Sequence, residues 1–129
     1  MLSGVRTALI LFAAVALSGC MYGAGVEHLA FPSRCVADAV ERVSGVDWLK
    51  AEAIELGVRQ GAYDSMIIPL RRDAPYVIRI TNRDDKASYF RANEFFRSIA
   101  LAKVVAGGKE YDAACISAVG VAVNDTAEI

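Results

Sequence analysis

An unbroken apolar run from Ala8 to Leu17 decides how much of this chain is available to fold. A helix that crosses a bilayer needs about 20 apolar residues, and this run is far shorter. Its flanks complete a secretory signal: Arg6 gives a positive n-region, and no acidic residue precedes Glu27. Residues 1–19 are therefore expected to leave as a signal peptide, a cleaved N-terminal helix that takes no part in the fold. The chain has 129 residues in all, so the remainder suffices for one small domain.

The run closes on Leu17-Ser18-Gly19-Cys20, which resembles the lipobox of bacterial lipoproteins. In that family a Leu three positions before the cysteine, and small residues at the next two, admit the signal peptidase. The resemblance implies that Cys20 receives a diacylglycerol thioether, becomes the mature N-terminus and is N-acylated. Two or three acyl chains, at about 0.8 kcal/mol per buried methylene, hold firmly where one holds only marginally. In Gram-negative lipoproteins an Asp after the cysteine commonly retains the protein in the inner membrane. Met21 stands there instead, which implies the periplasmic face of the outer membrane. The resemblance covers residues 1–20 and implies no fold or activity for the rest. Ordinary cleavage after Ser18, leaving Cys20 as an exposed thiol, is the competing reading.

With Cys20 assigned to lipid, Cys35 and Cys115 remain as the only pair of the three cysteines, in an oxidising compartment. A bridge between them is expected, and it would close most of the mature chain. The chain-entropy model gives about 4–4.5 kcal/mol for so long a loop. The alternative is two separate buried thiols acting as small hydrophobes. Removing Arg6 from 14 basic residues leaves 13 against 15 acids. That near balance gives no reason to expect nucleic acid as a partner.

Residues 20–32 lack periodicity and hold Gly23 and Gly25, and so read as a tether. The domain is expected over residues 33–129. Ser33 is a suitable N-cap for a helix over Arg34 to Val43, with Val36, Ala39, Val40 and Val43 on one stripe and Gly45 as its stop. A short helix after Asp47 should give way to extended chain, where Ile54, Leu56 and Val58 alternate with Glu55, Gly57 and Arg59. Met66-Ile67-Ile68 is a short apolar run stopped by Pro69. Tyr76, Ile78 and Ile80 alternate with Val77, Arg79 and Thr81 as in a half-buried strand. Asn82 to Lys86 carries turn chemistry, and Ser88 to Asn93 is expected to return as the partner strand of a hairpin. Glu94 to Ala106 suits helix or strand, and Gly107-Gly108 favours a hairpin turn. Cys115 to Val123 reads as a buried strand or short helix, and Asn124 to Ile129 as a polar tail. The expected class is α+β: an amphipathic helix packed on a small antiparallel sheet.

No catalytic, metal or cofactor constellation emerges. His28 is the only histidine and falls in the tether. Gly23-Ala24-Gly25 has no preceding strand or following lysine for a phosphate cradle. Cys35 to Val46 resembles the Cys…Gly-Val helix of heavy-metal-associated domains, but those need Cys-x-x-Cys and Pro32 holds the first cysteine position. Asp84-Asp85 reads as a solvated turn, not an acid/base pair. One distribution stands out. From Arg71 to Arg97 seven basic residues face four acids, net +3, while the rest of the mature chain is net −5. Tyr76, Arg79, Tyr89 and Arg91 fall in the expected hairpin, either as an ordinary charged sheet face or as a candidate contact surface for an envelope protein or an anionic envelope component. The reading is a lipid-anchored, non-enzymatic envelope protein held to the membrane through Cys20. The alternative is an immunity-type inhibitor of a toxin or lysozyme-like enzyme.

Overall fold

Two β-sheets stacked face to face carry the core. The computed structural model describes residues 23–28, 35–65, 67–111 and 115–129; the segment expected to be a signal peptide, Cys20, Ser33, Arg34 and Met66 lie outside them. The first sheet is three-stranded and antiparallel. Its middle strand is β8 (Ile116–Val121), flanked by β1 (Gly25–His28) and β5 (Ser88–Arg91). The second runs β3 (Ala62–Tyr63), β2 (Glu52–Arg59), β4 (Tyr76–Asn82), β9 (Thr126–Glu128), β6 (Val104–Ala106), β7 (Lys109–Tyr111). Among the described strands only β2 and β4 pair in parallel, in register from Glu52↔Tyr76 to Val58↔Asn82. The class is α+β with most of its regular structure in strands.

Alternation explains the core. Leu56 and Val58 from β2, Ile78 and Ile80 from β4, and Ala127 from β9 point into the interior, where they meet Ile116, Val119 and Val121 of β8. Apolar burial of this kind is worth roughly 25 cal/mol per Å². β8 faces β4, β6 and β9 across the interior, and helix α2 (Asn93–Ser98) packs on it with Phe96 buried. Two tight hairpins use two-residue turns with positive φ at both positions, Gln60-Gly61 between β2 and β3 and Gly107-Gly108 between β6 and β7. That geometry matches the right-handed twist of the flanking strands.

Five expectations need correction. Helix α1 is short (Ala39–Ser44) and buries no residue: Val40 sits on the expected stripe yet is 87% exposed. The helix that packs is α2. The Cys35–Cys115 bridge is present, with Cα atoms 5.7 Å apart, and it ties the start of the α1 segment to the start of β8. Residues expected to be tether form β1 instead, because Val26 packs on the core and Gly25 to Glu27 pair with β8. β4 and β5 are not a hairpin. They belong to different sheets, β4 bonding to β2 and β9, β5 to β8. Finally, the polar tail supplies β9, set between β4 and β6, because Ala127 alone turns inward while Thr126 and Glu128 face outward. The run at Ile67-Ile68 is not a strand; it belongs to the irregular segment before β4, with Ile67 exposed.

Candidate functional site

The arginine–tyrosine set does not form one surface. Arg79 projects from the outer face of the six-stranded sheet, since Ile78 and Ile80 on either side point inward. Its register neighbours are Glu55 on β2 and Glu128 on β9, and its guanidinium bonds both carboxylates, at 3.0 and 3.1 Å. Those two acids hold its proton more tightly than usual, Glu55 most. Arg91 and Tyr89 lie on the outer face of the other sheet, because Phe90 between them packs on the core. Arg91 reaches across β8 to Glu27 in a two-pronged pair at 2.5 and 2.7 Å, and stacks 5.5 Å from the centre of the Tyr89 ring. The phenol oxygen of Tyr76 accepts the Arg71 backbone N–H at 2.8 Å, and Arg71 pairs with Glu52.

The basic excess of this stretch is therefore met by acids from elsewhere in the chain. Glu27, Glu52, Glu55 and Glu128 all lie outside residues 71–97, and each holds one of its arginines. Exposed pairs of this kind add little to stability. They do change what the surface offers a partner, because an acidic group arriving at Arg79 or Arg91 must displace a carboxylate already in place. Arg79 and Arg91 thus lie on two opposed faces with their charge answered, and Tyr76 has the inward parity of Ile78 and Ile80.

What the fold does assemble is an apolar groove that the sequence did not reveal. Leu56 and Ile78 of the second sheet, the aromatics Tyr63, Phe90 and Phe95, and Ile68 and Leu70 of the irregular segment line it, around a volume of about 330 Å³. The aromatics pack edge to face: Tyr63 and Phe90 lie 5.9 Å apart, and Phe90 and Phe95 6.2 Å, each pair at 82°. Such contacts add about 0.5–1.5 kcal/mol beyond their area. Burial pushes the Tyr63 phenol above its ordinary range, and its O–H donates to the Tyr89 carbonyl at 3.4 Å. Among the described residues of the lining, Tyr63 and Ser65 are the polar side chains. The groove can hold an apolar group; it carries no acid, base or nucleophile set for chemistry.

The remaining expectations fall as follows. Among the described residues no group of three or more His, Cys, Asp or Glu is placed to hold a metal. His28 ends β1, exposed, opposite Ile116. Asp84 has a specific structural part: its two carboxylate oxygens accept the Gln60 and Gly61 backbone N–H groups, which clamps the β2–β3 turn. Beside it Asn82 is fully buried and fully bonded. Its side-chain N–H₂ donates to the carbonyls of Lys86 at 2.7 Å and Val121 at 3.1 Å, and its oxygen accepts the Asp84 N–H at 3.0 Å. One side chain thus ties β4 to the opposing sheet and to the turn. Among the described residues no helix is long and apolar enough to cross a membrane. Comparison of the chain with protein families, with characterised proteins and with solved structures finds no match.

Proposed function

We propose that this chain is a lipid-anchored, non-enzymatic protein of a bacterial cell envelope, fixed through acylated Cys20 to the periplasmic face of the outer membrane. The observation that carries the reading is the cysteine pairing. The bridge takes Cys35 and Cys115, which leaves Cys20, at the lipobox position, as the remaining one of three. A bridge suits an oxidising compartment, and a cysteine closing a signal-like segment suits the thioether. The side chains suit a binding or structural part: arginines already paired with carboxylates and a groove lined mostly by apolar groups.

Intact mass of the envelope-extracted chain, with membrane fractionation of wild type and Cys20→Ser, tests this. The wild type should begin at Cys20, carry the mass of two or three acyl chains and sediment with membranes. The serine variant should lose the acyl mass and the sedimentation together. If Cys20→Ser is processed identically and stays membrane-bound, the anchor reading fails.

A further inference from the structure

The folded domain begins almost at the proposed anchor. Gly23 is buried, with φ of +103°, and a Cβ there would collide with the side chain of Ala87. Its carbonyl oxygen occupies the space that a side chain on Gly120 would need. Ala87 follows Lys86, whose carbonyl is bonded by Asn82, and Ala122 borders the same space beside Gly23. Gly23 is thus wedged into the end of the sandwich formed by the 82–87 and 121–125 connections. Three residue steps separate it from Cys20. At 3.8 Å per step the leash spans at most about 11 Å, which is shorter than the domain is wide.

We propose that this end of the sandwich lies against the bilayer surface, with Lys86, Tyr89 and Val123 in the lipid interface. The proposal rests on acylation of Cys20, as argued above. So short a leash cannot let the domain turn over. The surface around Gly23 also has interfacial chemistry: Val123 and Tyr89 are exposed apolar groups, and tyrosine favours the headgroup level. Lys86 and Arg83 are exposed cations that can meet anionic headgroups; of the acids at this end, Asp84 is turned onto the β2–β3 turn, Asp125 is half-buried with a carboxylate oxygen on the Thr126 N–H, and Asp85 is exposed beside them. Trp48 marks the opposite end. It lies just before β2, whose eight residues run from there to the turn that Asp84 clamps. A strand of that length covers roughly 25 Å, so Trp48 stands clear of the lipid.

The test uses fluorescence of the acylated full chain in phosphatidylethanolamine and phosphatidylglycerol vesicles whose acyl chains are brominated. Trp48 is the only tryptophan, so the wild type reports the far end, and V123W in a W48F background reports the near one. An interfacial side chain reaches about 5–10 Å into the boundary, close enough to the bromines for roughly a twofold loss of emission. V123W should show that loss and wild-type Trp48 should not. A flexible Gly-Ser insert of about 16 residues between Met21 and Tyr22, reaching roughly 20 Å, should weaken the V123W quenching. Acyl mass and co-sedimentation are read on the same samples. Acylated, sedimenting protein with V123W unquenched, or with Trp48 quenched more strongly, overturns the orientation while leaving the anchor intact. Absence of acyl mass overturns the anchor and the orientation with it.

Discussion

The two ends of the sandwich are held by different means. At the end around Gly23, a network of short polar bonds fixes the chain. Asn82 is 0% exposed with its donors and acceptor bonded, Asp84 clamps the Gln60-Gly61 turn, and Arg83 N–H donates to the Val58 carbonyl at 2.8 Å. At the other end, α1 holds no fully buried residue, its Ala39 and Val43 being only half-buried, and Leu49 is 98% exposed. A six-residue helix is too short to be stable by itself, and apolar side chains left in water contribute no burial. There a covalent bond does what packing does not: Cys35 fastens the segment to β8. Where buried polar groups find every partner, the backbone needs no bridge; where apolar groups are at best half covered, a bridge takes their place.

Breaking the bridge should have the largest effect. Its two cysteines are 80 residues apart, for which the chain-entropy model sets a ceiling of about 4.5 kcal/mol. Replacing Cys35 and Cys115 together by Ala should lower unfolding stability in urea by about 2–4.5 kcal/mol. Hydrogen exchange should show where the constraint acted: α1 amides lose protection first, and the Arg83 and Gly61 amides last. A loss under about 1 kcal/mol with α1 still protected would mean that the helix end does not depend on its bridge.

The mirror experiment removes the polar tie at the other end. Asn82→Ala strips two carbonyls and one N–H of their partner inside a buried site. Each orphaned group costs about 1–3 kcal/mol, less whatever water can repair, so a total loss of about 2–4 kcal/mol is expected. Here the exchange pattern should reverse, with the Arg83 and Gly61 amides opening ahead of α1. Should α1 open first in both variants, the two ends are one cooperative unit and the contrast between them is false.

Local periodicity made some of this legible. The alternation in β4 was readable because one face is buried along its whole length, and Gly107-Gly108 was readable because few other residues take positive φ in sequence. The pairing of Cys35 with Cys115 followed once Cys20 was set aside. What stayed hidden is long-range. Nothing in Ser88 to Arg91 says that its partner is β8 and not the strand just before it. β1 and β9 each commit essentially one residue to the interior, Val26 and Ala127, too few to mark a strand in polar or glycine-containing surroundings. The stripe through Val36, Ala39, Val40 and Val43 had the right period, but period cannot show whether another surface arrives to cover it. The candidate arginine surface failed for the same reason. Its positive excess was counted within one stretch, and the carboxylates that answer it come from Glu27, Glu52, Glu55 and Glu128 on strands the count excluded. The groove was hidden because Leu56, Tyr63, Ile78 and Phe90 come from four separate strands.

The smallest effect sharpens the comparison most cheaply. Arg42 donates from Nε to the Asp38 carboxylate at 2.8 Å, one helical turn apart across the start of α1. That hydrogen bond holds the Asp38 carboxyl below its ordinary range. A depressed carboxyl favours the folded state above its unfolded value of about 3.9, and that contribution is lost as pH falls through the lower folded value. Both side chains are exposed, so the effect on stability is slight and fades with salt. Its use is as a reporter. The pair exists only while the chain from Asp38 to Arg42 is helical, so the Asp38 carboxyl resonance followed against pH by NMR reads the state of α1 directly. Arg42→Ala should move that titration up towards an ordinary aspartate. Reduction of Cys35–Cys115 should move it in the same direction, because a released segment loses the spacing that the pair requires. If reduction leaves the Asp38 titration where it was while Arg42→Ala shifts it, then α1 holds its shape without the bridge, and its stability must come from local bonds such as the Arg42 N–H to the Asp38 carbonyl at 3.0 Å.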